Sequence, residues 1–211
     1  MRTADVLRKT HAAALDGFLH HEFFARIADG RLQRTSRDAY FVYEHRFVEQ
    51  AVVVMGHILT KAHTTAARKH IVHILNGLVT DQTSLFDQIF AVIGRQKQIM
   101  PQAVDDFCEG MTEIARQGNY EQGLVAMLAA EWTYAEVSKR LARANIDDPL
   151  LRDWFDLHTQ PGFLAGVAWL EAELDSVEGC LIGGPSDPIS PAFLRAITLE
   201  IEFHNAPLMS V

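Results

Sequence analysis

Apolar residues recur at i, i+3, i+4 and i+7 along most of this chain, the period of helices that bury one face. No stretch carries a convincing strand signal. The first helical segment runs from Thr3 to Asp29 and is broken by "DGRL", where Gly30 suits a helix C-cap. The second starts after "RTSRD", with Thr35 and Asp38 spaced as a capping box, and continues to His63. The third covers Thr65 to Gly94. "RQKQIMP" reads as a loop, and Pro101 suits the first turn of a fourth helix that ends at Gln117, with Gly118 as its stop. A fifth spans Tyr120 to Ala144. After "NIDDP" come a short helix at Pro149 to His158 and another from Pro161 to just before Gly179. "GGPSDPIS" reads as a loop, and Pro191 opens a last helix to Asn205. With no linker-like stretch and no repeat, the pattern predicts one all-α domain over residues 1–211. Its helices are too many and too uneven for a simple four-helix bundle.

Composition narrows the function classes. With 211 residues, 48% hydrophobic and 22% charged, the chain has the make-up of an ordinary globular domain with a proper core. A net charge of -8 argues against a nucleic-acid surface, which needs a basic face. No apolar run approaches the roughly 18 residues needed to span a bilayer, and the N-terminal "MRTADVLRKTHAAALDG" has no signal-peptide core. Cys108 and Cys180 form no disulfide or metal pattern. The expectation is a soluble cytoplasmic protein with reduced thiols that binds neither nucleic acid nor membrane.

Three carboxylates change the picture. Helical neighbours lie three and four positions apart. Around Glu44 these are Tyr40, Phe41, Phe47 and Val48; around Glu131 they are Met127, Leu128, Tyr134 and Ala135. In the last helix Phe193, Ile197, Glu200, Ile201 and His204 share one stripe, while Glu202 lies off it. A single core-facing Glu is commonly no more than a paired carboxylate. Three on separate helices favour a shared polar pocket. Such a cluster does not easily hold every negative charge, so at least one pKa should rise, which suits general acid-base work.

Two chemistries fit a pocket of that kind. Helix-bundle di-iron sites use carboxylates with Glu-x-x-His pairs. Here the i+3 positions are Phe47, Tyr134 and Phe203, and only His204, at i+4 from Glu200, is placed to join. The ligand set is short, so no metal and no cofactor is expected. The alternative is metal-free hydrolysis of a small aromatic substrate, with Tyr43, Phe47, Tyr134 and Phe203 available to sandwich a flat ring, although plain core packing is the commoner explanation of any single one. The other histidines say less. His11, His63, His70 and His73 read as surface positions, His20 and His21 sit at a helix break as packing or capping groups, and His158 is placed to cap a helix C-terminus.

Several stretches resemble one family, TenA/thiaminase II. "HEFFARIADGRL" resembles its "HPF…DGxL" opening, and "YFVYEHRFVEQA" follows at the spacing of its "YxxQDxxF" helix. "LAAEWTYAE" resembles its central helix. "LLRDWFDLHTQPGFLAGVAWLEAELD" looks like its "YxxWIxxHxxxEFxxxVxxLxxLLD" segment, and "LEIEFHNAP" looks like its closing "LExxFWDMA". The resemblance covers nearly the whole chain in order. It implies a heme-oxygenase-like all-α bundle, a homo-oligomer (dimer or tetramer), and a small pyrimidine ligand hydrolysed in thiamin salvage.

The resemblance also has departures. Where the common class carries a nucleophilic Cys in "PCxWxY", this chain has Ala130. "LAAEWTY" is similar to the "WAxExxY" of a class without that Cys, often called TenA-E, which makes Glu131 its characteristic glutamate. Glu44 stands for the Asp of "QD", Gln82 for a Glu of the third helix, Phe107 and Leu151 for tyrosines, and His204 for the Trp after the closing Phe. The resemblance implies Glu131 and Glu200 as catalytic groups. It implies Glu44, Phe47, Tyr134, Tyr43, Phe107, Phe203 and His204 as substrate-side groups. Runner-up readings are a binding or regulatory protein without turnover and a metal oxidase on the same fold.

Overall fold

The structure, a computed structural model, describes residues 2–95, 99–144, 146–177 and 187–209. Cys180 and the first half of "GGPSDPIS" lie outside them. Among the described residues every regular element is helical. The chain forms α1 (Thr3–Thr10), α2 (Ala12–Leu19), α3 (Glu22–Ala28), α4 (Arg34–Lys61) and α5 (Thr65–Gly77). A π-helical turn, Leu78–Gln82, leads directly into α6 (Thr83–Ile93). Then follow α7 (Gln102–Gln117), α8 (Tyr120–Leu141), α9 (Pro149–Leu157), α10 (Pro161–Ser176) and α11 (Ile189–Met209).

The local chemistry explains most boundaries. Asn119 and Gln122 form a reciprocal capping box at the start of α8, and Asp148 caps α9 ahead of Pro149 at its first position. Thr64 caps α5 through Ala67 N–H at 3.0 Å. Gly30 and Gly94 take positive φ, +65° and +80°, which close α3 and α6 without the strain a side chain would bring there. Gly118 ends α7, as its position predicts.

Several expected boundaries are corrected. The segment Thr3–Asp29 is three helices, with breaks at His11 and at His20–His21. The His21 ring caps α3 by accepting from Phe23 N–H, the capping role open to it at a helix break. Thr35 and Asp38 form no capping box, because α4 already begins at Arg34 behind Gln33. Pro101 precedes α7 as its N-cap rather than lying in its first turn. The helix after Tyr120 stops at Leu141. The last helix opens at Ile189, where Asp187 accepts from Ile189 and Ser190 N–H, and it runs past Asn205 through Pro207 to Met209.

The interior is assembled from α4, α7, α8 and α11, which pack on one another, with α10 against α8 and α2 against α11. Helix α8 is apolar nearly all round, with buried residues from Tyr120 to Leu141, and it lies among α4, α7, α10 and α11. Close approach of α8 to α4 needs Gly123, where an added Cβ would meet Ile58 Cγ1 at 2.8 Å. A polar residue facing inward from α4, α8 or α11 therefore has little but other side chains for company.

Candidate active site

Glu44 on α4, Glu131 on α8 and Glu200 on α11 come together on one narrow cleft, as their inward stripes predict. Phe47, Val48, Ala51, Leu78, Gln82, Ala130, Tyr134, Trp154 and His158 complete its lining. No Lys or Arg is among these residues. Glu44 is 3% exposed and Glu200 1%, so the two carboxyls have left bulk water without a cation in exchange. Glu131 is less covered because it also faces a second, larger cavity.

The electrostatic consequences follow from burial. Desolvation pushes Glu44 up to about 8; the Tyr134 and Tyr40 hydroxyls oppose this, and the Glu131 charge adds to it. Desolvation pushes Glu131 up to about 7. Glu200 is raised well above the usual carboxylate range by burial first and by the Glu44 and Glu131 charges second. Among the described residues Glu200 Oε2 is one of two buried side-chain oxygens without a hydrogen-bond partner, the other being Ser138 Oγ. An orphaned carboxyl oxygen facing a cleft is an open invitation to a hydrogen-bond donor from a ligand.

Behind the cleft runs a chain of hydrogen bonds. Trp154 Nε1 donates to Tyr40 Oη at 2.8 Å, and Tyr40 Oη lies 3.0 Å from Tyr134 Oη. Tyr134 meets both the Glu44 carboxyl and His204 Nε2, the latter at 3.1 Å. His158 closes α9 by donating from Nδ1 to the Trp154 carbonyl at 2.7 Å, the capping role expected of it, and its ring packs on Tyr134. Burial lowers His158 to about 4.

The remaining expected residues take other places. Phe107 does not line the cleft; it stacks on Phe47 with centroids 4.2 Å apart and has Phe203 behind it at 5.1 Å. Tyr43 is buried and also off the cleft, and His204 is fully buried behind Tyr134. Phe47 and Tyr134 both line the cleft, but the space is about 30 Å³, enough for about two waters. A six-membered ring needs on the order of 150 Å³. The adjoining cavity, about 280 Å³, has that room. It is walled by Met55, Ile74, Met127, Phe163, Val167 and Leu170, and it shares Leu78, Gln82 and Glu131 with the cleft. The π turn supplies two of these three shared residues, at the kind of irregularity that recurs beside functional sites.

Sequence reasoning missed Trp154 and His158 as cleft residues. Their i, i+4 spacing on α9 is the signal that places both on one face. His11, expected on the surface, is partly buried against Ser190 at 2.7 Å. Cys108 is a free, buried thiol that burial pushes up to about 12, which makes it an inert thiol at neutral pH. Larger hollows elsewhere are walled by side chains already paired, such as Arg195 with Glu113 and Arg37 with Asp148.

Comparison with known proteins gives the family. The chain is 21% identical over 189 residues to the thiamine biosynthesis multifunctional protein ThiED of Corynebacterium glutamicum, covering 90% of this chain and 24% of that protein. It is 32% identical over 90 residues to the Corynebacterium efficiens protein of the same description, covering 41% of this chain and 12% of that one. The chain thus spans at most about a quarter of these curated relatives. Its fold matches a TenA homologue from P. horikoshii with a TM-score of 0.89, at 18% identity and over the full length of both chains. That is the all-α, heme-oxygenase-like fold. Residues 8–209 match the model of the TENA/THI-4/PQQC family, and the chain belongs to that family.

Proposed function

We propose that this protein hydrolyses an aminopyrimidine of the thiamin-breakdown type, with 4-amino-5-aminomethyl-2-methylpyrimidine as the reference substrate. The observation that carries this reading is the cleft of three inward carboxyls without a cation, one of them holding an orphaned oxygen. Relatives described as thiamine biosynthesis proteins support the substrate class. Ala130 at the position of the family Cys favours a carboxylate mechanism of the TenA-E kind.

The ring sits at the mouth of the larger cavity, and its two amino groups lead past Glu131 into the cleft. Glu44 accepts from the ring 4-amino group and sets the orientation. Glu131, with a pKa near 7, is available as a carboxylate at neutral pH and takes a proton from water as the oxygen attacks the exocyclic methylene. Glu200, raised well above the usual carboxylate range, is available as the acid and gives its proton to the departing nitrogen. One C–N bond breaks, one C–O bond forms, and ammonia and the hydroxymethylpyrimidine leave. A proton passing from Glu131 to Glu200 restores the starting state. A positioned acid or base contributes about 10²- to 10⁴-fold. Glu131→Gln should therefore lower ammonia release about 10²-fold or more while the far-UV circular dichroism stays that of the native helices. Full activity in that variant would remove Glu131 from its role.

A further inference from the structure

His204 has no part in that scheme. It is fully buried. Phe18, Phe23, Phe24 and Phe203 surround it, with ring centroids 4.8 to 5.5 Å away. Its own hydrogen bonds fix where its proton lies. Nδ1 is 2.8 Å from the main-chain carbonyl of Glu200. A carbonyl only accepts, so Nδ1 carries the hydrogen, and in the neutral ring Nε2 is then an acceptor. Among the described residues the donor in hydrogen-bond reach of Nε2 is the Tyr134 hydroxyl.

The far end of the chain points the same way. The Trp154 indole only donates, so Tyr40 Oη accepts from it and keeps its own proton to pass onward. Tyr134 has one hydroxyl proton and two acceptors in reach, Glu44 Oε1 and His204 Nε2, and among the described residues Nε2 has no other donor. When Tyr134 donates to Glu44, Nε2 is left a buried acceptor without a donor; when it donates to His204 and the hydrogen between Tyr134 Oη and Glu44 Oε1 is the carboxyl's own, every group of the chain is satisfied.

We infer that His204 is a positioning residue: by accepting the Tyr134 proton it holds Glu44 as a carboxylic acid whose hydroxyl points inward at Tyr134. The groups facing this pair are the ones that decide its charge. They are His21 on α3, Tyr40 on α4, Glu131 and Tyr134 on α8, Cys108 on α7, His158 at the end of α9, and Glu200 on α11. None of them is a fixed cation. The nearest carboxyl oxygens, Glu44 Oε1 and Glu200 Oε2, each lie 3.9 Å from a ring nitrogen, beyond hydrogen-bond length. The directions of titration agree: burial lowers His204 to about 3 and raises Glu44 to about 8.

The consequence is a choice of ligand. With its O–H turned inward, Glu44 offers the cleft a neutral carbonyl oxygen, an acceptor for an uncharged N–H donor rather than a counter-ion for a cation. This consequence rests on the aminopyrimidine reading; the protonation state does not.

The test is an NMR pH titration of protein carrying ¹³C-labelled glutamate side chains and ¹⁵N-labelled histidine rings. Glu44→Gln assigns the Glu44 carboxyl signal. In the wild type the Glu44 carboxyl should be protonated at pH 7, and His204 should be neutral with its hydrogen on Nδ1. His204→Phe removes the acceptor and frees the Tyr134 proton for Glu44. The Glu44 titration should then move down by about one pH unit or more, a tenfold change in its proton affinity. An ionised Glu44 at pH 7, a charged or Nε2–H His204, or a Glu44 titration unmoved in His204→Phe would each overturn the inference. If His204→Phe does not fold, the wild-type signals decide alone. Failure of ammonia release would sink the proposed function and leave these readouts standing.

Discussion

A carboxyl kept from water and given no cation stays protonated to a higher pH, and this ties the chemistry of the cleft to its stability. Unfolded, Glu44 and Glu131 lose their protons near the usual 4.5; folded, they lose them near 8 and 7. Between those values the native chain holds protons that the unfolded chain has released, so stability falls as pH rises. His158 and His204, lowered to about 4 and 3, act in the opposite sense. Their contribution is present above pH 6.5 and is lost as pH falls. Between pH 6.5 and 8 the glutamate effect is the main one still changing, and Cys108, raised to about 12, adds the same sign above that. Glu131→Gln removes one such group. Its unfolding free energy relative to wild type should therefore improve by about 1–3 kcal/mol between pH 5 and pH 8. Urea denaturation at the two pH values reads the difference, and an unchanged gap would show that Glu131 is not held protonated by the fold. The three glutamates were legible in the sequence because each sits at i±3 and i±4 from apolar residues on its own helix. Which of the aromatics would line the cleft was not, since Phe47 and Phe107 occupy equally apolar stripes and only packing between α4 and α7 decides which one faces the ligand.

At the scale of elements, the long helices α4, α7, α8 and α11 follow from the 3.6-residue period, while in the first segment only the break at His20–His21 was legible and the one at His11 was not. His11 and His20–His21 carry neither Gly nor Pro, and His21 acts as a cap only because Asn205 of α11 holds its ring at 3.1 Å. The π turn at Leu78–Gln82 is equally silent, because one extra residue in a turn leaves the local composition unchanged. The joint between α7 and α8, by contrast, was legible at Gly118, and its reason is space. The backbone there is extended (φ −73°, ψ 175°), which any residue adopts. An added Cβ, however, would lie 2.5 Å from the Ile114 carbonyl oxygen and 2.9 Å from Gln122 Cβ. Gly118→Ala should cost about 1–3 kcal/mol. Gly110→Ala should cost less, because the atom met there is the Leu199 Cδ1 at the end of a side chain that can turn. Equal costs in equilibrium unfolding would contradict this account of the joint.

At the scale of the whole molecule, the fold places an acidic, water-poor cleft beside a roomier apolar cavity, with Glu131 on the boundary of both. A ligand that binds only the native state raises its melting temperature. At a concentration about 100 times its dissociation constant, 4-amino-5-aminomethyl-2-methylpyrimidine should add about 2.7 kcal/mol, or roughly 5–10 °C for a chain of this size. No shift at saturating ligand would argue against the pyrimidine site. Among the described residues no helix is long and apolar enough to cross a membrane.

The most direct test of the central claim follows the oxygen. Purified protein is given the aminomethylpyrimidine in H₂¹⁸O, and ammonia and the pyrimidine product are measured together. The account predicts ammonia in step with a hydroxymethylpyrimidine whose label sits on the exocyclic oxygen, and loss of both in Glu131→Gln. Label on the ring carbon that bore the 4-amino group, or no product at all from folded protein, would contradict it.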